Sequence, residues 1–289
     1  MTLKSAVSKL TQIEQLNFLI TNRIPRRYMT LFMGWFSRIE NPLVSYLSIT
    51  LWRFFADDLN LEESRQQKFK SMHECFTREL KDGVRPVNRS KEIITSPCDA
   101  IVGACGKIKG NEIYQAKGFP YTLYDLLNST ELTEKYRDGS FVTLRLQSSM
   151  YHHFHAPCDC NINQLTYISG DTWNVNPVAL KRVEKLFCKN ERAIINLNLD
   201  NTELSITLVP VAAILVASMR FKCLSTTLDL KYKGPNIIPC NASYLKGENM
   251  GNFQQGSTII VFANKPFKLH ESITEGQRIN LGEALFRTG

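Results

Sequence analysis

Three short stretches hold the side chains best suited to chemistry. The densest is YHHFHAPCDC, residues 151–160, with His152, His153 and His155 followed by Cys158, Asp159 and Cys160. Imidazole and thiolate both bind zinc, but this spacing matches no standard zinc site, and the plainer reading is histidines with no ligand. In a strand, His153 and His155 would share one face and His152 the other. The second stretch is TSPCDA, residues 95–100, where a Ser96-Pro97 turn puts Asp99 at the head of the apolar run Ala100-Ile101-Val102. The third is FQQGSTIIVFA, residues 253–263, in which Gly256-Ser257-Thr258 runs straight into Ile259-Ile260-Val261-Phe262. Alone, it reads as a turn entering a buried strand. Asp99, His155 and Ser257 also form an Asp-His-Ser set in a chain order that geometry allows on some folds.

The elements around these residues are of two textures. Residues 24–55, IPRRYMTLFMGWFSRIENPLVSYLSITLWRFF, read as two or three helices, with Pro25 and Pro42 near their starts. Their apolar residues are interrupted by Arg38, Glu40 and Asn41, so no spanning helix is expected. Trp and Phe beside Arg suit helices lying in a membrane interface, or equally helices packed on the protein's own core. Residues 61–90 read as helical and then extended. From residue 91 the chain breaks into short apolar runs at Ile93-Ile94, Ala100–Val102, Phe141–Leu144, Ala193–Ile195, Ile206–Val209 and Ala212–Val216, all strand signals. Helices are expected near 123–136 and 177–187. The sum is an α+β chain, a helical region (1–60) on a β-rich, barrel- or sandwich-like body (61–289).

Composition narrows the function classes. Of 289 residues, 43% are hydrophobic and 21% charged, which is globular, and a net charge of +8 favours anionic partners. There is no dense basic run interleaved with aromatics and no finger-type Cys/His spacing, so nucleic acid is not the expected partner. The eight cysteines are scattered and read as reduced thiols. The first twenty residues lack the apolar core and cleavage site of a secretory signal. G-x-G-x-x-G, Walker-type and G-x-S-x-G motifs are missing.

Seven segments in one order carry a resemblance. They are FTRELKDGVRP (76–86), SPCDA (96–100), YHHFHAP (151–157), ISGDTWNVNP (168–177), LFCKNERA (186–193), KGENMGNF (246–253) and GST (256–258). Together, from about residue 69 onward, they resemble the phosphatidylserine decarboxylase family; the pattern around IPRRYMTLFMGWFSR is similar to that family's membrane-facing helices. The resemblance implies that Gly256-Ser257 is a self-cleavage site. The Ser257 hydroxyl would attack the Gly256 carbonyl, with His155, oriented by Asp99, as base. An ester, then a β-elimination, then hydrolysis would leave a pyruvoyl group at residue 257. Glycine leaves the attacked carbonyl open, and a serine hydroxyl needs a base to be a nucleophile.

The resemblance further implies a covalent pyruvate cofactor that forms a Schiff base with the substrate amine, and His152 as proton donor with a pKa near neutrality. No metal is expected. The partners are phosphatidylserine in a membrane and the two cleaved chains, 1–256 and 257–289, held as a heterodimer; a homo-oligomer stays open. The location implied is peripheral, on the cytoplasmic face of the cell membrane if bacterial. The chain departs from the family at Ala100 and Gln255, where Gly and Leu are common, at His153, where Arg is frequent, and near Cys160, where Gly is frequent. The alternatives are a decarboxylase of another aminophospholipid or a soluble amino acid, and a membrane-binding relative that never cleaves.

Overall fold

The computed structural model describes residues 14–56, 58–115, 119–199, 203–215, 218–254 and 257–288. Gly256, whose carbonyl is the expected point of self-cleavage, and Gln255, a departure from the family pattern, lie outside the described residues, as do 1–13 and Val216.

Three helices come first: α1 (Glu14–Asn22), α2 (Arg26–Phe36) and α3 (Pro42–Phe55). The start of α3 follows from its sequence. Asn41 accepts from the backbone N–H groups of Leu43 and Val44, and Pro42 takes the first helical position, where no N–H is needed. Residues 61–90 depart from expectation, with one 3-10 turn at Leu61–Glu63 and the short α4 (Met72–Phe76). The charges of this stretch tie loops together: Arg65 pairs with Asp82, and Arg85 with Glu63 and Asp99.

The body is built of strands. The first four are β1 (Ile93–Thr95), β2 (Ala100–Lys107), β3 (Glu112–Tyr114) and β4 (Pro120–Thr122). The expected helix near 123–136 is two, α5 (Leu123–Leu127) and α6 (Thr130–Tyr136), because Asn128 turns left-handed (φ 49°) and Ser129 caps anew. Next come β5 (Ser140–Leu146), β6 (His153–His155) and β7 (Cys160–Ile168). The helix near 177–187 is likewise split into α7 (Pro177–Leu180) and α8 (Leu186–Lys189). The remaining strands are β8 (Arg192–Asn198), β9 (Ser205–Ala212), β10 (Ser218–Phe221), β11 (Thr227–Asp229), β12 (Ile237–Tyr244), β13 (Asn249–Phe253), β14 (Ser257–Ala263), β15 (Lys268–Leu269), β16 (Arg278–Ile279) and β17 (Ala284–Arg287).

Eight strands form one antiparallel sheet in the order β12-β7-β8-β9-β14-β5-β2-β16. β14 lies inside it, laddered to β5 on one side and β9 on the other, with all seven residues buried. That explains its continuous apolar run, since a strand covered on both faces has no reason to alternate. Ile259, Val261 and Ala263 join a core shared with Phe154, Met219, Phe221 and Phe253 of a second sheet, β11-β10-β13-β6. Ile260 and Phe262 join another with Leu123, Leu126, Leu186 and Phe187 from α5 and α8. The chain is thus α+β, with a sheet on one face of the large sheet and helices on the other.

The N-terminal helices are pinned to this body. Arg26 pairs with Asp171 and stacks over the Trp173 ring at 3.8 Å; Thr30 accepts from the Leu215 N–H; and Trp52 stacks on Phe76.

Candidate active site

Ser257 is the first residue of β14, opposite Ala212 of β9 and Leu146 of β5, and is 1% exposed. Among the described residues its Oγ has no hydrogen-bond partner. An orphaned buried hydroxyl costs about 1–3 kcal/mol. It lines a cavity of about 580 Å³ walled by Met33 of α2, Trp52 of α3, Met72 and Phe76 of α4, Asn174, and Ile214-Leu215. The run Ala212–Val216, expected as a strand, stops pairing at Ala212: Ile214-Leu215 form a turn, with Leu215 left-handed at φ 68°, and close the cavity instead.

His152 is 0% exposed, and its ring lies 4.0 Å from that of Phe76, centroid to centroid. One phenyl group therefore touches His152 and walls the Ser257 cavity. Nδ1–H donates to the Met150 carbonyl at 2.8 Å, which leaves Nε2 as a bare lone pair, and Nε2 is buried without a partner. Burial, only partly offset by the Met150 bond, lowers its pKa to about 3. The expected near-neutral histidine is therefore a neutral imidazole that accepts at Nε2. Once charged it would be a strong acid, so it can return a proton readily but must first take one up.

His155 ends β6 and is held at both nitrogens: Nδ1–H donates to the Gly247 carbonyl at 2.8 Å, and Nε2 accepts from the Tyr151 hydroxyl at 3.0 Å. Gly247 presents that carbonyl from a left-handed backbone (φ 88°), with Val87 2.9 Å from where a Cβ would stand, so both conformation and space require glycine. Burial lowers the pKa of His155 to about 4; the Gly247 bond and the nearby Asp99 charge oppose this, while His153 and Lys222 add to it. His155 lines a separate depression of about 270 Å³ with Tyr151, Arg85 and Lys222.

Asp99 precedes β2 and is 1% exposed. Its carboxylate takes the Arg85 guanidinium side-on, at 2.7–3.0 Å, and the Leu281 N–H at 2.8 Å. Asp99 thus acts on His155 by charge, not by a hydrogen bond, and neither residue is among those that line the Ser257 cavity. His153, on the same face as His155, is fixed between the Thr77 carbonyl and the Asn249 amide and stacks on Tyr151 with planes 1° apart. Among the described residues no group of three or more His, Cys, Asp or Glu side chains could hold a metal, and all eight cysteines are free thiols.

Four contributors to the site escaped the sequence reading. Phe76 and Tyr151 lie inside quoted segments but carry no chemical signal. Arg85 had a signal, a lone basic residue before Pro86. Arg145 had the clearest one, a charge inside the otherwise buried strand SFVTLRL.

The site thus joins an α+β fold, a buried unpartnered serine heading a central strand with a cavity before it, and a buried neutral histidine packed on that cavity's Phe76 wall. Comparison with known proteins gives the family. Residues 72–287 match the family described as phosphatidylserine decarboxylase. A phosphatidylserine decarboxylase proenzyme of Vibrio cholerae serotype O1 is 33% identical over 275 residues, covering 90% of this chain and 94% of its own. One from Haemophilus influenzae (strain Rd) is 32% identical over 282 residues, covering 91% and 92%. The chain belongs to the phosphatidylserine decarboxylase family.

The protonation states are directly measurable. With pKa values lowered to about 3 and 4, His152 and His155 stay neutral through pH 7 to 5, and the native state binds fewer protons than the unfolded chain below pH 6.5. The contribution of these two histidines to stability is therefore complete above pH 6.5 and falls with acid, by up to about 1.4 kcal/mol per pH unit for each. Imidazole nitrogen NMR should show both rings as Nδ1–H tautomers with no titration down to pH 5; a midpoint near 6.5 for either would contradict these environments.

Proposed function

We propose that this protein decarboxylates phosphatidylserine to phosphatidylethanolamine and CO2, after cutting its own chain between Gly256 and Ser257. The relatives are named as proenzymes of that activity. The observation that carries the reading is the Ser257 hydroxyl, buried, unpaired and at the mouth of a 580 Å³ cavity. A hydroxyl held by no hydrogen bond is free to act as a nucleophile on the preceding carbonyl, and the cavity supplies room for a ligand beside the residue that would become the pyruvoyl group. The pyruvoyl group so formed would supply the electron sink for loss of CO2.

The chain's own residues then have these parts. Ser257 Oγ adds to the Gly256 carbonyl carbon, its proton passes to His155, and the amide gives way to an ester. His155 is neutral and so competent as a base, but its Nε2 must give up the Tyr151 bond to take that proton. Asp99 favours the imidazolium that results. His152 takes up a proton at Nε2 when the anionic substrate enters and raises its pKa, then delivers it to the substrate carbon. The two bare atoms, Ser257 Oγ and His152 Nε2, favour a second reading in which His152 also serves the cleavage. After cleavage the 257–289 piece stays in place, because β14 remains laddered to β5 and β9 and buried on both faces.

Ser257→Ala should remain one chain and release no CO2. His155→Ala and Asp99→Asn should slow cleavage severely. His152→Ala should cleave yet lose decarboxylation, by at least about 100-fold as is usual for a removed acid–base group. Denaturing gels and CO2 release separate these outcomes. If His152→Ala does not cleave while His155→Ala does, the second reading replaces the first.

Attachment to the membrane is placed on α2 and α3. No described helix is long and apolar enough to cross a membrane. Yet Tyr28, Phe32 and Trp35 of α2, and Leu43, Tyr46, Leu47, Leu51 and Phe54 of α3, are exposed at helical spacing. The opposite sides of the same helices supply Met33 and Trp52 to the Ser257 cavity, so lipid chains outside and a headgroup inside would be separated by one helix layer. Two residues expected at the lipid surface are used otherwise: Trp52 lies on Phe76, and Arg26 is paired with Asp171. Arg23, Arg27, Arg38 and Arg53 remain exposed for anionic headgroups. Because these helices also wall the cavity, point changes test the surface better than truncation. Leu47→Glu with Leu51→Glu should leave self-cleavage intact and cut flotation with anionic vesicles by about tenfold or more, since each leucine contributes about 1.5–3 kcal/mol when buried. Undiminished flotation would move the contact to the β-rich body.

A further inference from the structure

Arg145 is the one charged side chain among the described residues that line the Ser257 cavity. It lies on β5 opposite Thr258, one rung from the Ser257–Leu146 pair. Strand alternation sends the side chains of Ser257 and Arg145 to opposite faces, but both sit at the end of the sheet, where the cavity spans the strand edges. Arg145 is half-buried, and among the described residues its side chain forms no hydrogen bond, ion pair or ring contact. Every other buried or half-buried arginine of the body has partners: Arg78 donates to the Leu59 and Ser149 carbonyls, Arg85 to Asp99, and Arg192 to the carbonyls of Leu126 and Cys188. A cation drawn out of water without compensation is costly. Burial alone pulls Arg145 below the usual arginine range, with no acid offsetting it.

We propose that Arg145 binds the phosphodiester of the substrate headgroup and thereby sets the enzyme's preference for a phosphoserine lipid over a serine lacking phosphate. This rests on the decarboxylase reading above. The substrate brings two anions, and the reaction decides which of them Arg145 should hold. The carboxylate loses its charge as CO2 leaves, so a cation paired with it would stabilise the ground state more than the transition state and slow the reaction. The phosphodiester keeps its charge throughout, and pairing with it improves binding without raising the barrier. The phosphorus is one short serine arm from the amine that must meet residue 257. The guanidinium fork matches two phosphate oxygens. The apolar walls of Trp52, Met72, Phe76 and Ile214 leave the carboxylate no cation to pair with inside the cavity.

The test uses dihexanoyl phosphatidylserine in neutral detergent, which removes membrane electrostatics, and compares full-length Arg145→Gln and Arg145→Lys proteins with the wild type. Gels should show self-cleavage complete in all three. KM should rise about 10- to 100-fold in Arg145→Gln, as expected for loss of a charge-assisted pair, with kcat within about twofold, and Arg145→Lys should recover part of the loss. An O-alkyl serine without phosphate should be a poor substrate for all three alike. In a Ser257→Ala background, which forms no keto group, calorimetry with the same lipid should show Arg145→Gln weakening binding by a similar factor. A fall in kcat at unchanged KM, unchanged KM and binding, or equal loss on the phosphate-free serine would overturn the assignment. If the wild-type protein cleaves but releases no CO2, the decarboxylase reading fails, and calorimetry still decides whether Arg145 holds the phosphodiester.

Discussion

A buried hydroxyl with no hydrogen-bond partner among the described residues sits at the head of a strand buried along its whole length. Ser257 could satisfy its Oγ by a small shift toward solvent, but β14 is fixed by ladders on both sides and by cores on both faces, so the atom stays where the sheet puts it. The energy of that arrangement is small beside the burial of Ile259, Ile260, Val261 and Phe262, each worth about 1.5–3 kcal/mol. A strained or orphaned group is tolerated where the surrounding structure over-determines it. The same packing that holds the hydroxyl bare would also hold a new chain end in place once the preceding peptide bond is gone.

The site's electrostatics follow from how the remaining charges are spent. Asp99 has its charge matched by Arg85 and its oxygens filled by Leu281 N–H, so it is available to His155 as a field and not as a ligand. His152 is kept neutral by an apolar shell centred on Phe76. Arg145 is left unmatched. A cavity with one open cation and one bare hydroxyl, and with a bare imidazole nitrogen behind its Phe76 wall, is arranged to receive an anion. The helices that roof it expose aromatic and leucine side chains on their outer side, so a substrate with two acyl chains could remain in lipid while its headgroup reaches the strand end.

Much of this was legible from residue order. β14, β5 and β9 announce themselves because strands buried on both faces are continuous apolar runs. Asn41-Pro42 gave the start of α3, because a capping side chain and a residue without an N–H are local requirements. What was not legible is non-local. Glu63, Arg65 and Arg85 fall in a stretch that reads as helical and then extended until their partners across the fold are known. Ala212–Val216 has the composition of a strand, but Ile214 and Leu215 turn and line a cavity. Trp52 resembles an interfacial anchor by type and proves to be cavity wall by position. Whether His155 meets Ser257 is likewise a question of distance and not of spacing: the described structure gives both nitrogens of His155 other partners and leaves His152 Nε2 with none.

The central claim is that Ser257 ceases to be a serine. Intact mass of the wild-type protein, purified at neutral pH, tests it most directly. The account predicts two chains from the 33.0 kDa precursor, one of them about 4 kDa and spanning 257–289, whose N-terminus carries a ketone, resists stepwise degradation and gains mass on reduction with borohydride. A single 33.0 kDa species with an unmodified serine at position 257 would contradict it.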